Sequence, residues 1–322
     1  MRISRRSAVD VALLVLVNAM WAGQFAAYKV ATQKMGPVTV STWTFLIASF
    51  VLLPFLSWER RHCGDSPSGG SNIGGPGSVN RSLLSARNAL GFLVIGVFGL
   101  IPASAFLAWG IDRSTASNAA VIYLTIPIIT ALLASVMLKE RMTLVRWGSL
   151  FVALTGVLIL SDFDWRHLQL TNSKFLFGNI LVLLACSSSS FYNVSCKGLL
   201  RRFRPVEVLV CTYTVAFVVS LPVLHWAEPL SLAAIRAYRP ATWIALIMLS
   251  VFTWGLAMIL WLFLLTRLDV SQASVSVYLL SFLGVLFSAI AVHEHITLTM
   301  VIGGLVTLAG TVLVMSLEPT AG

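Results

Sequence analysis

AVDVALLVLVNAMWAGQFAAYKVATQKMGPVTVSTWTFLIASFVLLPFLS, residues 8–57, is the stretch that decides the fold. It holds two apolar runs, 8–32 and 37–57, parted only by Gln33-Lys34-Met35-Gly36. Each run supplies the roughly 20 residues a helix needs to cross a hydrocarbon core. Four residues between them leave room only for an antiparallel hairpin. The pattern continues over 89–111, 115–138, 142–161, 175–199, 205–226, 241–266, 269–292 and 296–317. Ten transmembrane helices are predicted. A membrane β-barrel would alternate apolar and polar residues over segments of about ten, and these runs do not. Arg2, Arg5 and Arg6 precede the first run as in a secretory leader, but the run exceeds the 7–15 residues of a leader's apolar core. It reads as a retained first helix.

Composition agrees. The 322 residues are 58% hydrophobic and 11% charged, against roughly 25% charged in a soluble domain, so the chain needs lipid as a second solvent. The net charge of +10 is not a nucleic-acid signal, because nearly all the basic residues sit in short gaps between apolar runs. Of the 22 Lys and Arg, fifteen fall in the N-terminal tail and the loops on the same side as it. That bias places both termini in the cytoplasm of a multi-pass protein of the cell (inner) membrane. Residues 62–80 are rich in Gly, Ser and Pro and read as a flexible loop. Cys63, Cys186, Cys196 and Cys211 have no metal-ligand spacing; the last three read as small buried hydrophobes.

The chain repeats itself. Shifted by 154 residues, Arg113 meets Arg267, Ser117 meets Ser271, Glu140 meets Glu294 and Gly156 meets Gly310. Shifted by 168, Lys29 meets Lys197, Pro37 meets Pro205, Pro54 meets Pro222 and Trp58 meets Trp226. Five spans per half is an odd number, so the halves enter the membrane in opposite directions. The expected fold is an all-α membrane protein of ten transmembrane helices in two inverted-topology repeats of five, residues 1–161 (with loop 62–80) and 162–322. Inverted repeats are a transporter architecture, with the substrate site near midplane between the repeats.

Trp21-Ala22-Gly23-Gln24-Phe25 followed by Lys29 resembles the opening of an EamA-type drug/metabolite transporter. So do Ser117-Asn118-Ala119-Ala120 with Pro127, and Lys139-Glu140-Arg141 with Gly148 and Gly156. The resemblance covers nearly the whole chain in both halves. It implies ten helices, a central cavity, alternating access, and movement of amino acids or other small metabolites across a cytoplasmic membrane. The second half departs from the pattern. Ser187-Ser188-Ser189-Ser190 replaces Ala-Met-Trp-Ala (19–22), and His293-Glu294-His295 replaces Lys-Glu-Arg.

Polar groups at membrane depth face a cavity or a partner helix. The candidate substrate-binding residues are Asn18, Trp21 and Gln24 in the first span, and Tyr192 and Asn193 beside Ser187–Ser190 in the sixth. Trp109, Asn118 and Tyr123 join them from the third and fourth spans, and Trp254, Gln272 and Tyr278, with Ser281 nearby, from the eighth and ninth. They describe a neutral, hydrogen-bonding pocket with aromatic walls. The other reading, interhelical glue, stays open for each of them. Pro102 and Pro127 fall inside apolar runs and can kink them; Pro54 and Pro222, near span ends, read as structural. Glu140 reads as paired with Lys139 and Arg141 at the hairpin. His293 and His295 beside Glu294 are too few for a zinc site, so no metal is expected.

No cofactor and no catalytic residue are expected either. No span carries a carboxylate near its middle, which argues against a lipophilic-cation pump. A Gly-x-x-x-x-Gly-Lys-Ser/Thr loop for ATP is absent. The reading is a secondary transporter, an exporter of a small neutral or zwitterionic metabolite such as an amino acid. Its partners are that small-molecule substrate and the lipid bilayer, with no nucleic acid, as a monomer or homodimer. The alternatives are a non-transport receptor or scaffold, for which an inverted duplication has no use, and an intramembrane lipid-modifying enzyme, which would need clustered His or acidic residues.

Overall fold

A computed structural model describes residues 5–63, 86–114, 122–160, 173–228, 235–236, 238–280, 282–283 and 298–317, and every regular element among them is helical. Asn118, Ser281, Glu294 and the 64–80 part of the loop lie outside the described residues. The elements are α1 (Arg5–Ala22), α2 (Gln24–Thr32) and α3 (Pro37–Cys63); α4 (Ala86–Arg113); α5 (Ile126–Met137) and α6 (Leu144–Leu160). Then follow α7 (Ser173–Leu200) and α8 (Pro205–Ala227), α9 (Pro240–Arg267), and α10 (Val270–Ser274) with α11 (Leu298–Leu317). Among the described residues five helices are long and apolar enough to cross a membrane, and five shorter apolar helices accompany them.

The duplication is visible in these bounds. Moved by 168 residues, α1 and α2 together cover the span of α7, and α3 starts where α8 starts, Pro37 on Pro205. Moved by 154, Ala86–Arg113 lands on Pro240–Arg267. Both α4 and α9 widen into a π-helix at matching depth, Ile95–Leu100 in one and Met248–Ala257 in the other. Pro102 follows the first π segment, but α9 has Leu256 at the equivalent position and no proline there. The shared widening therefore does not depend on Pro102. Pro127 lies in the first turn of α5, where its missing N–H would be unpaired in any case. It starts a helix rather than kinking one.

The first run divides at Gly23 into α1 and α2, whereas its counterpart α7 is continuous. Small residues let α6 and α11 meet closely. A Cβ on Gly156 would overlap the Thr307 N–H and the Gly303 carbonyl, and one on Gly310 would lie 2.8 Å from Ala153 N. Gly303 and Thr307 are the 154-residue mates of Ser149 and Ala153, so this contact has its own two-fold symmetry. Phe50, Phe98, Val136, Phe151, Ile244 and Leu305 stand exposed on the outside of the bundle, a distribution that lipid tails satisfy.

Candidate functional site

The widened helices and the split first helix meet at the centre of the bundle. There they enclose a small cavity lined by Trp21, Gln24, Tyr123, Tyr192, Asn193 and Trp254 among others. Its volume is about 50 Å³, space for a few water molecules. Sites that hold small ligands measure roughly 300–1,000 Å³. The lining comes in symmetry mates. At the 168-residue offset Trp21 faces Ser189 and Gln24 faces Tyr192; at the 154-residue offset Leu100 faces Trp254, Tyr123 faces Val277 and Ile126 faces Leu280. The cavity therefore lies on the pseudo-two-fold axis. Among the described residues that line it, none is charged.

Hydrogen bonds fix the polar walls. Gln24 is bonded to the Tyr123 hydroxyl. The Trp261 indole N–H donates to Asn193 Oδ1 at 3.0 Å, and Trp261 packs against Trp21 with ring centroids 5.2 Å apart. The Trp21 N–H donates to the Thr253 carbonyl at 3.3 Å and the Tyr213 hydroxyl to the Trp254 carbonyl at 2.6 Å. Both carbonyls belong to the π segment of α9, so side chains from the first half and from α8 satisfy backbone groups beside the cavity. The Trp254 N–H donates to Tyr28 Oη at 3.0 Å, and Tyr28, Ser104 and Ser41 continue the chain of hydroxyls.

Six of the eleven predicted site residues thus share one cavity. Asn18 does not: its side chain donates to the Leu14 carbonyl and to Ser276 Oγ, and its Oδ1 has no partner among the described residues. Gln272 donates to the Val314 carbonyl, and the Tyr278 hydroxyl is buried without a partner among the described residues. Trp109 stacks on Phe106. Asn118 lies outside the described residues. The apolar lining, Leu100, Ala103, Ile126, Met258, Val277 and Leu280, escaped the sequence reading because apolar residues are unremarkable in a membrane span. Trp254 and Tyr123, at offset 154, would have pointed to Leu100 and Val277.

Glu140 departs from its expected pairing. It does not pair with Lys139 or Arg141 among the described contacts. Lys139 turns the chain with φ 59°, and the Glu140 carboxylate meets the N-terminus of α10, Oε1 accepting from Val270 N–H at 2.9 Å and Oε2 from Ser271 N–H at 3.0 Å. Arg146, almost fully buried, lies 3.7 Å from Glu140 and also pairs with Asp269. Lys197 donates to the Leu265 and Leu268 carbonyls at the end of α9, at 2.6 and 2.8 Å. These charged groups line the basic face of the bundle, where α1 joins them through Asp10 and Arg267 at 3.7 Å.

Comparison with known proteins points one way. The model of the EamA-like transporter family matches the chain twice, over residues 10–162 and 176–316. An uncharacterized transporter of Archaeoglobus fulgidus is 25% identical over 304 residues, covering 94% of this chain and 95% of that protein. A probable terminal-alkyne amino-acid exporter of Streptantibioticus cattleyicolor is 24% identical over 301 residues, covering 94% and 91%. One solved crystal structure superposes with a TM-score of 0.70 at 17% identity, covering 95% of this chain and 96% of the other, a likeness of fold.

Proposed function

The chain belongs to the EamA-like transporter family, and from that membership we propose that it exports a small neutral or zwitterionic metabolite, such as an amino acid, by alternating access between its halves, 1–161 and 162–322. The observation that carries this reading is the central cavity, which is on the symmetry axis, aromatic, rich in hydrogen-bonding groups and uncharged among its described lining residues. A substrate with net charge would enter low dielectric without a counter-charge, at a cost of several kcal/mol. A neutral molecule or a zwitterion, whose charges can be met by dipoles, suits amides and hydroxyls such as Gln24, Asn193 and Tyr123.

The substrate class draws further support from the relative named as a probable amino-acid exporter. The cavity's size supports alternating access, because about 50 Å³ is too small for a metabolite unless the halves move apart. The charge bias supports a cytoplasmic-membrane setting with both termini inside. A thermal-shift panel on the purified protein tests the class. Neutral or zwitterionic ligands are expected to raise the melting temperature and organic cations or dianions to leave it unchanged. Stabilisation by charged ligands alone would refute the reading.

A further inference from the structure

We propose that Glu228 and Glu140 are the latches of the outer and inner gates, each closing its face by capturing the N-terminus of a helix from the other half. The inference rests on the alternating-access reading above and assigns its moving contacts. Glu228 directly follows α8. Its Oε1 accepts from the Val38 N–H at 3.1 Å, and its Oε2 accepts from the Thr39 N–H and the Thr39 hydroxyl, both at 2.8 Å. Glu140 follows α5 and repeats the arrangement on α10. Oε1 takes the Val270 N–H, and Oε2 takes the Ser271 N–H and the Ser271 hydroxyl at 2.5 Å. In each case a carboxylate grips an apolar residue and a hydroxyl residue in the first turn.

Neither captured helix is capped from within. Gly36, before α3, has no side chain, and Asp269, before α10, makes no side-chain cap. The first N–H groups of a helix need an acceptor, and a carboxylate there gains from both charge-assisted bonds and the helix dipole. A cap ordinarily comes from the residue beside the helix and moves with it. Here it comes from the other half, so moving the halves apart strips the cap. Gly36 is part of the outer latch, because any Cβ there would occupy the space of the Glu228 carboxylate.

The two latches lie on opposite faces. Glu228 lies before α9 and Val270 just after it, and that helix is 28 residues long, about 40 Å. They also differ in strength. Arg146 reinforces the inner latch, pairing with Glu140 at 3.7 Å and donating to Ser271 Oγ at 2.8 Å. Among the described residues no ion pair reinforces Glu228. The inner gate is therefore the firmer one, and the unloaded protein opens more readily outward.

The test is sided thiol labelling of the full chain, cysteine-free except for Ser189→Cys in the cavity wall, in vesicles of each orientation. Glu228→Gln is expected to raise labelling by an impermeant maleimide from the outer face roughly tenfold, as for the loss of a charge-assisted bond. Labelling from the cytoplasmic face should not change. Glu140→Gln should do the converse. Gly36→Ala should reproduce Glu228→Gln, and the two together should add nothing. If Glu140→Gln fails to accumulate as folded protein, the Glu228 and Gly36 variants decide alone. Unchanged labelling, a rise on the wrong face, or a Gly36→Ala effect additive with Glu228→Gln would overturn the latches. Labelling needs no substrate, so sided labelling without any transport would refute the transport reading and leave the latches standing. Transport with unsided labelling would refute the latches alone.

Discussion

Replacing Asn193 with Leu separates two roles that one residue can combine, binding substrate and holding helices. Asn193 Oδ1 accepts the Trp261 indole N–H at 3.0 Å, and Trp261 is fully buried at 0% exposure. An interhelical hydrogen bond inside a membrane is worth on average about 0.6 kcal/mol. A buried donor left without an acceptor costs about 1–3 kcal/mol. Trp261 has no water to turn to, so the second figure governs, and Asn193→Leu should lower stability by about 1–3 kcal/mol. Trp261→Phe removes the donor instead and leaves Asn193 facing the cavity. In the double variant neither group is orphaned, so its loss should fall short of the sum of the singles by roughly 1 kcal/mol. Denaturation of the purified variants in detergent measures all four corners of the cycle. Additivity within about 0.3–0.5 kcal/mol, or a stable Asn193→Leu, would refute the reasoning.

Gln24→Leu should behave differently. Its partner Tyr123 also lines the cavity and can turn to water there, so affinity for neutral ligands should fall roughly tenfold while the melting temperature holds. Gly156→Ala and Gly310→Ala should each cost about 1–3 kcal/mol of stability through overpacking, read as a lower melting temperature, because the neighbouring helix backbone occupies the space their Cβ atoms need. Introduced thiols at Ser4 and Thr320 should be shielded from an impermeant reagent in intact cells, and one at Thr171 should react. The opposite pattern would overturn the orientation argued from charge.

Much of the fold was legible because membrane helices write their limits in composition. Pro37 and Pro205 begin their helices where the repeat aligns them. The site was legible only in part. Polar or aromatic type at membrane depth marked Trp21 and Gln24, but it marked Asn18 equally. Asn18, three residues before Trp21 in α1, is turned instead towards Ser276, whose hydroxyl its side chain meets. Tyr278 fails by one step, since its neighbour Val277 lines the cavity. No single-span pattern shows which stripe of a helix faces inward when every face is apolar. The latches were hidden for another reason. The sequence neighbours of Glu140 are cations, yet the N–H groups it accepts from are 130 and 131 residues away, and Glu228 meets Val38 across 190. The one local sign was a helix starting at Gly36-Pro37 with no capping side chain.

The central claim is tested most directly by flux through the purified chain in liposomes. Vesicles preloaded with an unlabelled neutral amino acid should take up its labelled form by exchange. That uptake should be competed by other neutral metabolites and not by organic cations, and Gln24→Leu should shift its concentration dependence roughly tenfold. Absence of exchange for every neutral metabolite by a folded, reconstituted protein, or exchange confined to charged ones, would contradict the account.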